Sequence, residues 1–314
     1  MIFDAHGDIL TDMYQQKLYN NKNSFKKRHL ALYKKGGITH SIFVNYTDPY
    51  HGNKELFLNI FENAFSELKK NNDIFKLCLN YNDMLISASE NKIGVIMGME
   101  GIMQLEDVEQ LNELYRRGVR HASLTWNEEN DYASGLDNPN TKGLTLKGIK
   151  ILNEMEKLGM LVDLAHLNEK SFFDVIENTT SPIIISHGNT KTICNHRRNY
   201  TDEQLKAISD RDGVIGICGI ASFISNELEH QNVQYMVKHI DHAVKVMGID
   251  HVGLGFDFCY YLYPNGQNNR VTNLLTIADV PNIFKELKNI GYNNEDIEKI
   301  KHLNFERVIK TILK

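Results

Sequence analysis

Proline is scarce in this chain, at 5 residues in 314, and no serine- or glycine-rich stretch divides it. With no linker at which to cut it, a single catalytic unit spanning 1–314 is expected. Cysteine is equally sparse. The four, Cys78, Cys194, Cys218 and Cys259, include no C-x-x-C pair. That excludes a disulfide framework and fits a reducing compartment. No apolar run approaches the about 18 to 20 residues that span a bilayer, so no membrane partner is expected. The first residues, MIFDAHGDIL, lack a basic stretch followed by a long apolar core, so no signal peptide is expected and the cytoplasm is the expected location. Positive charge is not in excess either: 35 basic against 40 acidic residues leave a net −5. A nucleic-acid partner, whose phosphates require Lys and Arg, is not expected.

What the chain does have is a repeated alternation of short apolar runs with amphipathic ones. Eight runs read as buried parallel strands, at 2–6, 40–45, 93–99, 119–125, 160–165, 182–186, 214–219 and 251–256. Between them, 54–70 and 105–117 carry apolar residues at helical spacing. Thr201 and Gln204 make a capping box that opens a helix, and 233–248 ends in a glycine suited to a helix C-cap. Eight such alternations predict an α/β fold of the (β/α)8 TIM-barrel type, with an open doubly wound sheet as the alternative.

A barrel of this kind places its chemistry at the C-terminal ends of the strands. The reactive residues fall there: His6 and Asp8 after the first run, Glu100 after the third, His166 after the fifth, His187 after the sixth and Asp257 after the eighth. Taken singly, His6 reads as a hydrogen-bonded histidine of the barrel mouth, Asp8 as a helix N-cap and Glu100 as one half of a salt bridge. Taken together, three imidazoles and two carboxylates form a donor set for a dinuclear hydrolytic metal site. Asp257, beyond two glycines, is placed to shuttle a proton. Asp4 reads as a buried acid that orients a ligand from behind. In NHRRNY (195–200) an arginine is suited to clamp a carboxylate, against the plainer reading of a solvated basic turn. The basic run KKRH (26–29) reads as a solvated face, and the remaining histidines, including His121 in mid-strand, as structural.

Motifs in this order over nearly the whole length resemble the membrane (renal) dipeptidase family, the M19 zinc dipeptidases. The carriers are DAHGD (4–8), GMEG (98–101), GVRHASLTWN (118–127), LGMLVDLAH (158–166), PIIISH (182–187), RRN (197–199), HIDHAVKVMGIDHVGLGFDF (239–258) and LNFERV (303–308). The resemblance implies two Zn2+ ions joined by a bridging glutamate and hydroxide. His6 and Asp8 would hold one ion, His166 and His187 the other, and Glu100 would bridge. Asp257 would be the acid/base residue, and Arg198 would bind the C-terminal carboxylate of a small dipeptide. Mn2+ or Co2+ suits the same ligands, and a homodimer stays open.

Two departures from the family pattern stand out. Trp126 occupies the position of a substrate-binding histidine, so the oxyanion donor is unassigned, with Asn127 or Asn130 as candidates. Cys259 replaces a second acid, and with Tyr260 and Tyr261 it is expected to reshape the pocket. The function expected is that of a zinc-dependent dipeptidase. The alternatives are another metal-dependent hydrolase acting on lactones, cyclic imides or by deamination, and a non-catalytic binding relative.

Overall fold

All eight expected strands form, with ends within two residues of those expected. The computed structural model describes residues 1–262 and 270–314. The strands are β1 (Phe3–Gly7), β2 (His40–Tyr46), β3 (Phe75–Leu77), β4 (Ile93–Glu100), β5 (Val119–Ser123), β6 (Leu161–Asp163), β7 (Ile184–Gly188), β8 (Val214–Ile217) and β9 (Val252–Leu254). The ninth strand, β3, was not expected. It has three residues, too few to display a period, and it pairs in parallel with β4 alone.

The other eight run in the order β1-β2-β4-β5-β6-β7-β8-β9, with every pairing parallel. This is a (β/α)8 barrel, and its last seam is closed by side-chain and end contacts. The Asp4 carboxylate accepts from the Phe256 N–H at 3.0 Å, and the His6 carbonyl accepts from the Asp257 N–H at 3.3 Å.

The helices follow the sequence signals closely. Lys54–Lys70 runs over the expected span, capped by the Asn53 side chain. Asp202–Asp210 carries the expected Thr201–Gln204 capping box, and Val233–Met247 ends at Gly248, φ +91°. The second amphipathic segment starts later than expected, at Val108, because Asp107 caps it by accepting from the Gln110 N–H. Among the described residues, no helix is long and apolar enough to cross a membrane.

Alternation along the strands sends side chains to two cores. Ile42 and Val44 join Phe3, Ile96, Leu161, Ile184 and Val214, and the helix Asn304–Ile312 adds Phe305, Val308 and Ile309 to this group. Phe43, one position over, belongs instead to the larger core. Phe3 and Phe305 stack with ring centroids 5.1 Å apart. The C-terminal helix therefore packs on the starts of the strands, which leaves the strand ends open for chemistry.

Candidate active site

Glu100, the last residue of β4, gathers the three histidines. Its Oε1 lies 2.9 Å from His166 Nε2, 3.5 Å from His6 Nε2 and 3.7 Å from His187 Nε2. Lysine and arginine, the partners of the plain salt-bridge reading, make no ion pair with it among the described residues. Asp8 occupies the N-cap position of the helix Ile9–Leu18 yet makes no capping hydrogen bond, and its Oδ1 is buried without a partner. It joins His6 and Asp257 in one group, with donor atoms within 4.8 Å of one another; His6, Glu100 and His187 form a second.

The hydrogen bonds behind the rings fix their tautomers. Asp163 Oδ2 accepts from Ser186 Oγ at 2.6 Å, so that hydroxyl has no proton left for His187. His187 Nδ1 must therefore donate to Ser186 Oγ, at 2.9 Å, which leaves Nε2 a bare lone pair. Asn127 Oδ1 likewise accepts from His166 Nδ1 at 2.9 Å. The two Nε2 atoms then face each other at 3.0 Å, with Glu100 Oε1 beside them and the Arg198 guanidinium as the donor to His187 Nε2. His6 adds Nδ1 and Nε2, both buried without hydrogen-bond partners. Each such orphan costs about 1–3 kcal/mol. A divalent cation held by Glu100 and one nitrogen from each imidazole would give His6 a partner, so the donor set fits a metal.

Burial dominates the electrostatics. It pushes His6 down to about 3 and holds His166 and His187 well below the usual imidazole range, so all three present neutral rings. It also raises the carboxyls. Glu100 is pushed up by burial and then by Asp8 and Asp257, and Asp257 rises to about 7 by burial against the opposing pull of Arg198. Neutral imidazoles beside crowded carboxyls suit a cation, whose charge reverses the penalty on the acids.

Two residues of the cluster have strained backbones. His166 sits at φ +70° and Asp257 at φ +56°, in the left-handed region. Strain of about 1–3 kcal/mol is typical of sites whose geometry is held by their surroundings. One such hold is an aspartate used in the same way twice. Asp4 Oδ1 accepts from the N–H of His6, two residues on, and from Phe256 on the adjoining strand end. Asp163 Oδ1 accepts from the N–H of Ala165, two residues on, and from Ser186 on the adjoining strand.

Arg198 is buried, contrary to the solvated-turn reading. It donates through NH2 to His187 Nε2 at 2.7 Å, while its NH1 has no partner. Its neighbour Arg197 pairs with Asp137 on the surface. A cavity of about 170 Å³ is lined by Asp8, Glu100, His166, Asp257, Tyr46, Trp126, Ile220, Phe223, Cys259 and Leu262. Trp126 thus lies in the site. Asn127 lies behind His166, with its amide oxygen engaged.

Several expectations are corrected. Asn130 is consumed by its own loop, donating to the Leu124 carbonyl and to Glu128, and accepting from the Tyr132 and Ala133 N–H groups. The loop after β9 supplies Cys259 and Leu262 to the cavity, whereas Tyr261 packs edge-on against His29. KKRH is not wholly a solvated face. His29 is buried 2.7 Å from Asp12, and Arg28 donates to the Tyr261 carbonyl at 3.0 Å. The glycine before Phe256 lets two backbones approach closely: a Cβ on Gly255 would lie 1.7 Å from the Ser186 carbonyl oxygen. Sequence reasoning missed Asp163 and Ser186 as supports. The signal available was a carboxylate inside the apolar run MLVDLA, the same signal that singled out Glu100.

Comparison with known proteins follows the same line. The family described as membrane dipeptidase (peptidase family M19) matches residues 1–314. A Klebsiella pneumoniae protein from the pqqA 5′ region is 31% identical over 247 residues, covering 76% of this chain and 89% of that one. Dipeptidase tcpJ of Claviceps purpurea is 29% identical over 243 residues, covering 76% of this chain and 56% of that one. The chain therefore matches little more than half of that relative. A Rhodobacter sphaeroides metallopeptidase, solved with a phosphinate mimic of the dipeptide L-Ala-D-Ala, shares the fold at a TM-score of 0.88 and 21% identity, with 99% of each chain covered.

Proposed function

We propose that this chain, which belongs to the membrane dipeptidase family M19, hydrolyses dipeptides at a site holding two divalent cations. The carrying observation is the cluster of His166 Nε2, His187 Nε2 and Glu100 Oε1, beside two donor sets that share His6: one with Glu100 and His187, the other with Asp8 and Asp257. Zn2+ is the first candidate, and Mn2+ or Co2+ suits the same nitrogen and oxygen donors. Bound there, such ions lower the pKa of water and polarise a carbonyl oxygen.

The chain's own residues supply the rest. The unpartnered NH1 of Arg198 takes the substrate's terminal carboxylate; a cation on His187 Nε2 would take the lone pair that NH2 now shares and free the guanidinium for that carboxylate, with the Phe223 ring 5.5 Å away. The buried position of Arg198 on the loop after β7 sets one distance from carboxylate to scissile bond, and so favours a dipeptide over a longer chain. Asp257 opens onto the cavity with 19% of its side chain exposed and carries a proton to the departing amine. Asp4, Asp163 and Asn127 hold the ligand-bearing strand ends in place.

The test is metal analysis of the purified protein together with an assay on a panel of L,L and L,D dipeptides. Stoichiometric divalent metal and hydrolysis that Arg198→Ala abolishes are expected. Protein that holds no metal, or loaded protein that cleaves no dipeptide, overturns the proposal.

A further inference from the structure

Trp126 lines the cavity that holds the ligand cluster, and the surroundings of its ring give it a chemical meaning. Tyr46 ends β2 and pairs in register with Glu100, which pairs in turn with Ser123 of β5. Trp126 follows three residues later. The two aromatics thus flank the strand that carries Glu100, and their rings meet with centroids 5.6 Å apart and planes tilted by 55°. Trp126 also lies 5.8 Å from the His166 ring. Both aromatics line the cavity. The strand order places this pair, on β2 and β5, across the mouth from Arg198 and Phe223, which follow β7 and β8.

The geometry points to an aromatic wall that selects the side chain of a dipeptide's first residue. This inference rests on the dipeptidase reading, with the C-terminal carboxylate at Arg198. A dipeptide held there by its carboxylate runs across the ligand cluster, so its N-terminal residue reaches the opposite wall. Apolar side chains, aromatic or branched aliphatic, bury against Tyr46 and Trp126 and gain from it. An acidic side chain loses hydration at such a wall and faces Asp8, Glu100 and Asp257 in the same cavity. The substrate class is therefore free dipeptides with a large apolar first residue.

The experiment compares Leu-Ala, Phe-Ala, Gly-Ala and Asp-Ala with the metal-loaded enzyme. Wild type should show kcat/KM about ten-fold higher for the Leu and Phe substrates than for the Gly and Asp substrates. Trp126→Ala should compress that ratio to within about threefold, chiefly by raising KM for the apolar pair, as loss of uniform binding does. Trp126→Phe should preserve most of the ratio. A flat wild-type panel overturns the inference while leaving the dipeptidase reading intact, and so does an equal loss on all four substrates in Trp126→Ala. The wild-type panel decides by itself if the alanine variant does not fold. Cleavage of none of the four removes the dipeptidase reading and this inference with it.

Discussion

His121 Nε2 sits 3.0 Å from Asp163 Oδ2, with both side chains at most 1% exposed. Burial pushes the Asp163 carboxyl up, but His121 and Ser186 more than offset this and hold it below the ordinary range. The pair is the base of a chain that runs through Ser186 to His187 and dictates which nitrogen of that ring is bare. Gly98 belongs to the same device: a Cβ there would lie 2.3 Å from His121 Nδ1. Ser186→Ala should weaken divalent-cation affinity about 10–100-fold, the usual cost of losing a partner behind a ligand. Competition with a chromophoric chelator measures it, and unchanged affinity would refute the tautomer argument. Asp163→Asn should cost about 3 kcal/mol or more in urea unfolding of the metal-free protein, because it breaks a buried pair.

Glu100→Gln separates folding from cation binding. In the metal-free protein Glu100 is a buried acid crowded by Asp8 and Asp257, so the neutral amide should leave the melting temperature equal or higher. A cation at 100 times its Kd stabilises a native protein by about 2.7 kcal/mol. Wild type should show that upward shift on addition of Zn2+, and Glu100→Gln should show little of it. A variant that melts lower without metal contradicts the crowding of the buried acid, and one that gains as much from Zn2+ as wild type contradicts the assignment of Glu100 as a ligand.

The fold was legible because a parallel barrel writes itself as apolar runs at regular spacing, and all eight of those runs became strands. The candidate ligands were legible for a related reason: an imidazole or carboxylate ending an apolar run has few other uses. What could not be read was anything set by contacts between distant segments. Arg28 reaches the Tyr261 carbonyl across 233 positions of sequence, and nothing in KKRH announces it. The role of Asn127 depends on where His166 lies, 39 residues away. β3 escaped because three residues carry no period, and Asp163 because its partners lie on two other strands.

Asp257 combines a strained backbone with an acid side chain, and two substitutions distinguish these features. Asn tolerates φ near +56° about as well as Asp, whereas Ala does not. Asp257→Asn should therefore keep near-wild-type stability, while Asp257→Ala loses about 1 kcal/mol in chemical denaturation. Both should lower kcat by about 10²–10⁴, the range for a lost general acid or base. Retention of activity in Asp257→Asn would rule out the acid/base role, and equal stabilities of the two variants would rule out the strain.

His239 should make stability fall in mild acid. It is fully buried, its Nδ1 accepts from the Thr190 N–H at 3.1 Å, and its Nε2 donates to the Ile224 carbonyl at 2.9 Å. Burial pulls its pKa from 6.5 down to about 4. Above pH 6.5 the ring is neutral in both the folded and unfolded chain and stability does not depend on it. Between pH 6.5 and 4 the unfolded chain binds a proton that the folded protein refuses, so stability falls with falling pH across that window. The shift corresponds to about 3 kcal/mol at its lower end. His166 and His187 are depressed in the same direction, so the diagnostic is a difference between proteins. Urea unfolding at pH 7, 5.5 and 4.5 should give a shallower decline for His239→Gln than for wild type, both without metal. Thr190 opens the loop that carries Arg198, so the same protonation should loosen that loop, visible as faster amide exchange over 190–200 at pH 4.5 after correction for the intrinsic rate. Parallel pH profiles for the two proteins would mean that His239 is not the group responsible.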